Sequence, residues 1–213
     1  MSQYENFIKD FPMRCKELYD GLHPSALILK KEVTFMFMVA SASILIPFER
    51  LRPMNATDPM HPSEDAIKFK NHADNLKKLL DGNIDKSLLW PMDLKNWRHG
   101  NSNEVIFDPN YISDNQLTEV SPINKVGNIL FIIRNALAHG NVYTFEDPIK
   151  YIFFVSWKKK NNIAIGTKFI RVTPDEFRVF INKWLKFLLD TEIDTFTIGT
   201  VLNQESPEEL AIQ

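Results

Sequence analysis

The centre of the chain reads Ile132-Ile133-Arg134-Asn135-Ala136-Leu137-Ala138-His139-Gly140-Asn141. It closes an apolar stretch whose spacing of three and four predicts one buried face of a helix, formed by Ile123, Val126, Leu130, Ile133 and Leu137. Ser121-Pro122 suits the start of this helix, since serine caps a helix well and proline fits its first position. Gly140 suits the left-handed residue just past a helix end. We therefore predict a helix from Ser121 to His139, with His139 as its last residue or its cap.

Similar spacing of apolar residues predicts helices elsewhere in the chain, at about 5–22, 26–46, 63–81 and 173–189. The last of these begins with a capping box from Thr173 to Glu176. We expect a mainly α fold, an up-and-down bundle of four to five long helices.

Two runs rich in β-branched and aromatic residues, 151–157 and 163–172, precede the last helix. Lys158-Lys159-Lys160-Asn161-Asn162 joins them, so the sequence predicts a β-hairpin at about 151–172 with a basic tip. Residues 98–118 are polar and lack a clear period, and we expect an inserted loop at about 82–118. Within it, Trp97-Arg98-His99 is either an ordinary loop cluster or a place where a base stacks on the indole.

Length and composition fit one domain at 1–190, followed by an acidic, weakly ordered tail at 191–213. Cys15 is the one cysteine, which excludes an internal disulfide and favours a reducing, cytoplasmic compartment. The start of the chain lacks the pattern of a signal peptide. The uncharged run Val33–Phe48 is shorter than the roughly 20 residues that a spanning helix needs, so we expect a buried helix and no membrane association.

The formal net charge of −2 argues against strong general affinity for nucleic acid. Six of the 27 acidic residues follow Leu189, and the remainder of the chain holds 21 acidic against 25 basic residues. Such a mildly basic body fits a transient RNA contact and an ordinary solvated surface equally well.

Arg134 and His139 together carry groups that could act on a phosphodiester. Histidine titrates near neutral pH and can move protons, and a guanidinium stabilises charge on phosphate oxygens. Residues five apart in an ideal helix point roughly 140° from each other, and one histidine cannot be both acid and base in the same step. A two-fold dimer would bring two such pairs around one cleft. The alternative is structural: Arg134 caps carbonyls or pairs with an acid, and His139 closes its own helix.

The string from Ile133 to Asn141 resembles the signature of the HEPN superfamily, in which an arginine, often followed by a polar residue, precedes a histidine by four to six residues. Ile46-Pro47-Phe48-Glu49-Arg50 and the closing hairpin and helix are similar to a plasmid- and phage-defence-associated branch of that superfamily. The likeness covers residues 1–190. Its members are small helical bundles, and many are RNases of prokaryotic toxin–antitoxin and defence systems.

The resemblance implies catalytic roles for Arg134 and His139, and dimerisation through the helices that carry them. It also implies that Asn135 and Asn141 orient these groups or the substrate. Four lysines are candidate contacts to the RNA backbone: Lys125, Lys158, Lys159 and Lys160. No zinc-type spacing, glycine-rich phosphate loop or dinucleotide fingerprint is present, so we expect no metal and no cofactor.

The leading hypothesis is a dimeric, metal-independent endoribonuclease of a toxin–antitoxin or phage-defence system that cleaves by 2′-hydroxyl attack. The first alternative is a non-catalytic HEPN-fold module that partners a nucleotidyltransferase-type antitoxin or binds RNA. The second is a scaffold whose apolar helices only mediate oligomerisation. The acidic tail would autoinhibit if it covered the basic body.

Overall fold

The structure is a computed structural model and describes residues 7–51, 66–87, 89–90 and 94–190. The predicted acidic tail at 191–213, and with it the autoinhibition hypothesis, lies outside these residues. The α-helices of the described part are α1 (Phe7–Ile28), α2 (Glu32–Ala40), α3 (Ile46–Leu51), α4 (Ala66–Asp81), α5 (Val126–His139) and α6 (Pro174–Leu189). The strands are β1 (Arg98–Ser102), β2 (Thr118–Glu119), β3 (Val142–Phe145), β4 (Tyr151–Lys160) and β5 (Ile163–Val172).

The predicted architecture, a helical bundle with only a hairpin added, is wrong, because the strands form one five-stranded antiparallel sheet in the order β2-β1-β5-β4-β3. The hairpin is its centre, with β4 and β5 joined at Asn161-Asn162. Strands β1 and β2 come from the range 82–118 that we expected to be a loop. Strand β1 reads Arg-His-Gly-Asn-Ser and has no apolar alternation, so only its pairing with β5 reveals it as a strand.

Helices cover one face of the sheet, and residues 103–117 of the inserted segment cover the other. Ile152 and Phe154 of β4 point into the main core with the helices. Between them in sequence, Phe153 faces the opposite side, where it packs with Phe107 and Phe169. Arg171 on that side donates to Asp114 at 2.6 Å, and this contact holds the inserted segment against the sheet. Residues 103–117, which we expected to be part of a loop, are therefore a structural layer of the domain.

Helices α2 and α3 are joined without a break by a π-helical turn, Ser41–Leu45. Pro47 has no N–H to give to the Ser43 carbonyl four residues before it. That carbonyl accepts instead from Nε1 of Trp184 in α6, at 2.8 Å. The continuous helix Glu32–Leu51 is long and apolar enough to cross a membrane by length and composition alone. In this fold its buried side chains belong to the main core, among them Met36, Ile44 and Phe48.

Helix α5 begins at Val126, so the predicted start at Ser121-Pro122 is wrong. Residues 121–125 instead pair with the turn after α4: the carbonyls of Pro122 and Asn124 accept from Asp85 and Ile84, each at 3.0 Å. The predicted end is confirmed, since His139 is the last helical residue and Gly140 follows with a φ of 68°.

Candidate functional site

The end of α5 is fixed by its left-handed residue. Gly140 allows the chain to turn, and the Asn141 N–H then donates back to the Ala136 carbonyl at 2.9 Å. The Asn141 carbonyl accepts from Val155 of β4 at 3.0 Å. The backbone after His139 is therefore tied both to its own helix and to the sheet, which fixes the point from which the His139 side chain leaves the helix.

Arg134 lies one and a half turns earlier and is held by side chains on two sides. Its Nη1 donates to Oδ1 of Asn135 at 2.9 Å, and its Nη2 makes an ion pair with Glu49 of α3. Asn135 in turn donates from Nδ2 to Oγ of Ser156 in β4, at 3.3 Å. The result is a continuous chain of polar contacts, Glu49–Arg134–Asn135–Ser156, which links α3, α5 and the sheet.

The Arg134 side chain is 21% exposed, and its Nε is buried with no hydrogen-bond partner among the described residues. Two of its five N–H donors are thus committed to Glu49 and Asn135, and one is enclosed. The remaining donors on Nη1 and Nη2 are the groups that could reach a phosphate.

Glu49 is a site residue for which the sequence predicted no role. The π-helical turn before it changes the direction in which later residues leave the helix, because each of its hydrogen bonds spans five residues and not four. Sequence periodicity assumes a regular helix and cannot place a residue beyond such a turn. Glu49 is therefore recognised only from the structure.

His139 is exposed, and its ring centroid lies 6.3 Å from that of Trp157. Because Arg134 and His139 are both within the regular helix, they leave it in directions roughly 140° apart. One chain therefore places an exposed imidazole at the surface and a guanidinium in a network on a different side of the helix.

A cleft of about 720 Å³ opens between α5 and the sheet. Its polar lining includes His99 and Asn101 of β1, Ser156 of β4, and three asparagines of the α5 segment, Asn124, Asn128 and Asn135. Burial lowers the pKa of His99, so its imidazole is neutral at pH 7 and can both donate and accept a hydrogen bond.

The cleft is positively charged. Lys158, Lys159 and Lys168 line it, and its described lining contains no Asp or Glu. Two large aromatic residues, Phe131 and Trp157, also line it, and Trp157 is 41% exposed. An aromatic surface beside amide groups and lysines suits an anionic ligand that carries flat rings.

The structure separates the predicted contact residues. Lys158, Lys159 and Asn135 line the cleft, whereas Lys160 is exposed near the hairpin tip and is not part of the lining. Lys125 donates to the Asp81 carbonyl at 2.8 Å and so holds the start of α5 on the end of α4.

Asn141 is bound through its backbone and does not line the cleft. Trp97 is fully buried against Trp90 and Phe180, which excludes stacking of a base on its indole.

Several residues of the cleft were not predicted from the sequence, among them Lys168, Trp157 and Asn128. Lys168 and Trp157 belong to strands that read as core, and only their exposed side chains within the sheet distinguish them. In the described part of the chain, no group of three or more His, Cys, Asp or Glu side chains is arranged to hold a metal ion.

Comparison with known proteins gives one family. A family model, HEPN pEK499 p136, matches residues 1–195 of the 213. No curated protein and no solved structure matches the chain. The match includes α1 to α6, the whole sheet and the Arg134–His139 element. The chain therefore belongs to the HEPN pEK499 p136 family and, with it, to the HEPN superfamily.

Proposed function

We propose that this protein is a metal-independent endoribonuclease that works as a dimer in a toxin–antitoxin or phage-defence system in the cytoplasm. The observation that carries the proposal is the α5 end, where Arg134 and His139 do not line the basic cleft themselves but each lies against a residue that does, Asn135 and Trp157 respectively. Membership of the HEPN superfamily, whose members are often nucleases, supports the same function.

The proposed reaction begins when a base takes the proton of a ribose 2′-hydroxyl. The 2′-oxygen attacks the adjacent phosphorus, the bond from phosphorus to the 5′-oxygen breaks, and an acid protonates the leaving oxygen. The products are a 2′,3′-cyclic phosphate and a 5′-hydroxyl. Arg134 would stabilise the charge that builds on the phosphoryl oxygens, and Asn135 would orient it.

Two protonation states are needed in this reaction, and each chain supplies one His139. A homodimer through α5 would provide a second His139 as the partner acid or base. Next to His139, Ala138 is also exposed, and Phe131, which is 36% exposed, lies seven residues before Ala138 on the same side of α5. Such a surface suits contact with a second copy of the helix.

The main alternative is a non-catalytic module that binds RNA or an antitoxin. The pairing of Arg134 with Glu49 favours it, because an arginine committed to a carboxylate is a structural element in many proteins. The two functions differ in whether RNA is cut.

The test is incubation of purified protein with RNA in EDTA, beside the His139→Ala and Arg134→Ala variants. We expect the parent protein to leave 2′,3′-cyclic phosphate ends, and each variant to lose about 10²-fold or more in rate. Lys77→Ala, a change on the exposed face of α4, is the control and should cut like the parent. Equal cleavage by parent and both site variants would exclude the mechanism, and no cleavage by any of them would favour the binding module.

A further inference from the structure

We propose that the cleft between α5 and the sheet binds single-stranded RNA next to the cleaved phosphate, with a base stacked on Trp157. The choice of RNA as ligand rests on the proposed function. The cleft itself indicates the path of the strand, the residues that hold it and the preference for single strands.

Two residues connect the cleft to the candidate catalytic groups. Asn135 lines the cleft and accepts from Arg134, and Trp157 lines the cleft and lies beside the His139 ring. A strand that crossed the end of α5 would therefore enter the cleft without leaving contact with the protein. A nucleotide adjacent to the cleaved phosphate would be the first to meet Trp157.

The floor of the cleft is the helix-facing side of the sheet. Lys168 lies on the central strand β5, and its cross-strand neighbours are Asn101 of β1 and Ser156 of β4. His99 pairs with Ile170 on the same face, two residues along. Lys168 is nevertheless exposed, at the floor of the cleft that opens between α5 and the sheet. An exposed lysine with polar neighbours at the centre of a sheet suits contact with a phosphate.

The opposite wall is α5, where Asn128 and Asn135 lie seven residues apart and so share one side of the helix. Asn135 is already bonded to Arg134 and Ser156, so Asn128 is the amide of this pair that we expect to contact a base. A side-chain amide can donate to and accept from the edge of a base at once, as in the bidentate contact to adenine. In RNA, side chains reach these edges mainly in unpaired nucleotides, because the major groove of an RNA duplex is deep and narrow. An aromatic ring likewise stacks on a base that has left the stack of a duplex. The volume of about 720 Å³ is within the roughly 300–1,000 Å³ of small-ligand sites, which suits a short piece of strand and not a duplex.

The experiment measures binding in the absence of cleavage. A fluorescent single-stranded RNA of mixed sequence is titrated with the His139→Ala protein, and anisotropy gives the Kd at several salt concentrations. We expect Trp157→Ala to weaken binding roughly 5- to 150-fold, and Trp157→Phe to recover most of the loss, because a ring is retained. Lys168→Ala should lower the salt dependence of log Kd by about 0.7, as for one lost phosphate contact.

Matched controls are Tyr111→Ala, an aromatic that is 80% exposed outside the cleft, and Lys77→Ala, an exposed lysine of α4. Both should bind like the His139→Ala parent. Duplex RNA of the same sequence should bind more weakly than the single strand. Circular dichroism of each variant confirms its fold, and the exposure of Trp157 and Lys168 makes both changes tolerable.

The outcomes separate this inference from the proposed function. Weaker binding by the cleft variants together with no cleavage by the unaltered protein would support the cleft and exclude the nuclease. Cleavage by the unaltered protein, with Trp157→Ala and Lys168→Ala binding RNA like their parent, would overturn the cleft and leave the nuclease standing. Equal affinity for duplex and single strand would also overturn it.

Discussion

The guanidinium of Arg134 is held between the Glu49 carboxylate and the Asn135 amide. These contacts leave one N–H on Nη1 and one on Nη2 that could face a substrate. An arginine side chain has many rotamers, and an arginine without such partners would lose entropy each time it met a phosphate. The two contacts remove that cost before binding. Glu49 is therefore a positioning residue of the proposed site, acting through Arg134.

At this scale we predict that Glu49→Ala lowers the rate of RNA cleavage by about 10²-fold, because misplacing a catalytic group by about 1 Å has an effect of this size. Glu49→Gln keeps an oxygen that accepts from Arg134, and should recover part of the rate. Single-turnover cleavage assays measure both, and Glu17→Ala on the exposed side of α1 is the control. A Glu49→Ala protein that cuts faster than the parent would show that Glu49 inhibits Arg134 and does not position it.

At the scale of elements, the end of α4 and the start of α5 are docked through backbone contacts. The Val126 N–H donates to the Gly82 carbonyl at 3.0 Å, and Lys125 donates to the Asp81 carbonyl. Gly127 lies where the two helices meet, and a Cβ at this position would lie 3.0 Å from the Leu80 carbonyl oxygen. A backbone oxygen cannot rotate away as a side chain can, so the helices must separate.

We predict that Gly127→Ala lowers the free energy of unfolding by about 1 kcal/mol, since the strain of overpacking exceeds the gain in helix propensity. Gly21→Ala is the matched control. It lies within α1 with nothing within 4 Å of the added Cβ, and should raise the free energy of unfolding by about 0.5–1 kcal/mol. Urea denaturation measures both values. Stabilisation of similar size in both variants would show that α4 moves freely against α5.

In the proposed mechanism, a single chain presents one exposed His139, and the second acid or base comes from a partner copy. The active unit is then the dimer, and a dimer with one altered subunit lacks one of the two proton-transfer groups. The activity of such a mixed dimer therefore distinguishes one composite site, shared by the two subunits, from two independent sites.

We predict that wild-type protein allowed to exchange subunits with an equal amount of His139→Ala protein loses about half of its activity per wild-type chain, because random pairing leaves half of those chains with an altered partner. Sedimentation gives the mass in solution, and cleavage rates give the activity. Mixing with Lys77→Ala protein should leave the activity unchanged. A protein that sediments as an active monomer, or an activity that follows the wild-type fraction linearly, would contradict the composite site.

The sequence alone predicted features that depend on neighbours along the chain. Apolar spacing indicated the helices, Gly140 marked the end of α5 because a left-handed residue suits glycine, and β-branched runs indicated the β4–β5 hairpin. The order Arg134, Asn135, His139 led to the HEPN family, which the match over residues 1–195 confirms. Each of these signals depends on residues that lie close together in the sequence.

The five-stranded sheet, the start of α5, the partner of Arg134 and the cleft all depend on contacts between distant segments, so they are visible only in three dimensions. The sequence of β1 has no strand-like pattern, and β1 forms because its backbone pairs with the neighbouring strand β5. Residues 121–125 do not continue the helix because their carbonyls bond to Ile84 and Asp85. Glu49 and Arg134 are 85 positions apart, and a π-helical turn sets the direction of Glu49. A hydrogen bond between distant segments contributes a free energy similar in size to the helix propensity of a few residues. The local sequence therefore could not show whether a segment would follow its own propensity or bond to a distant segment.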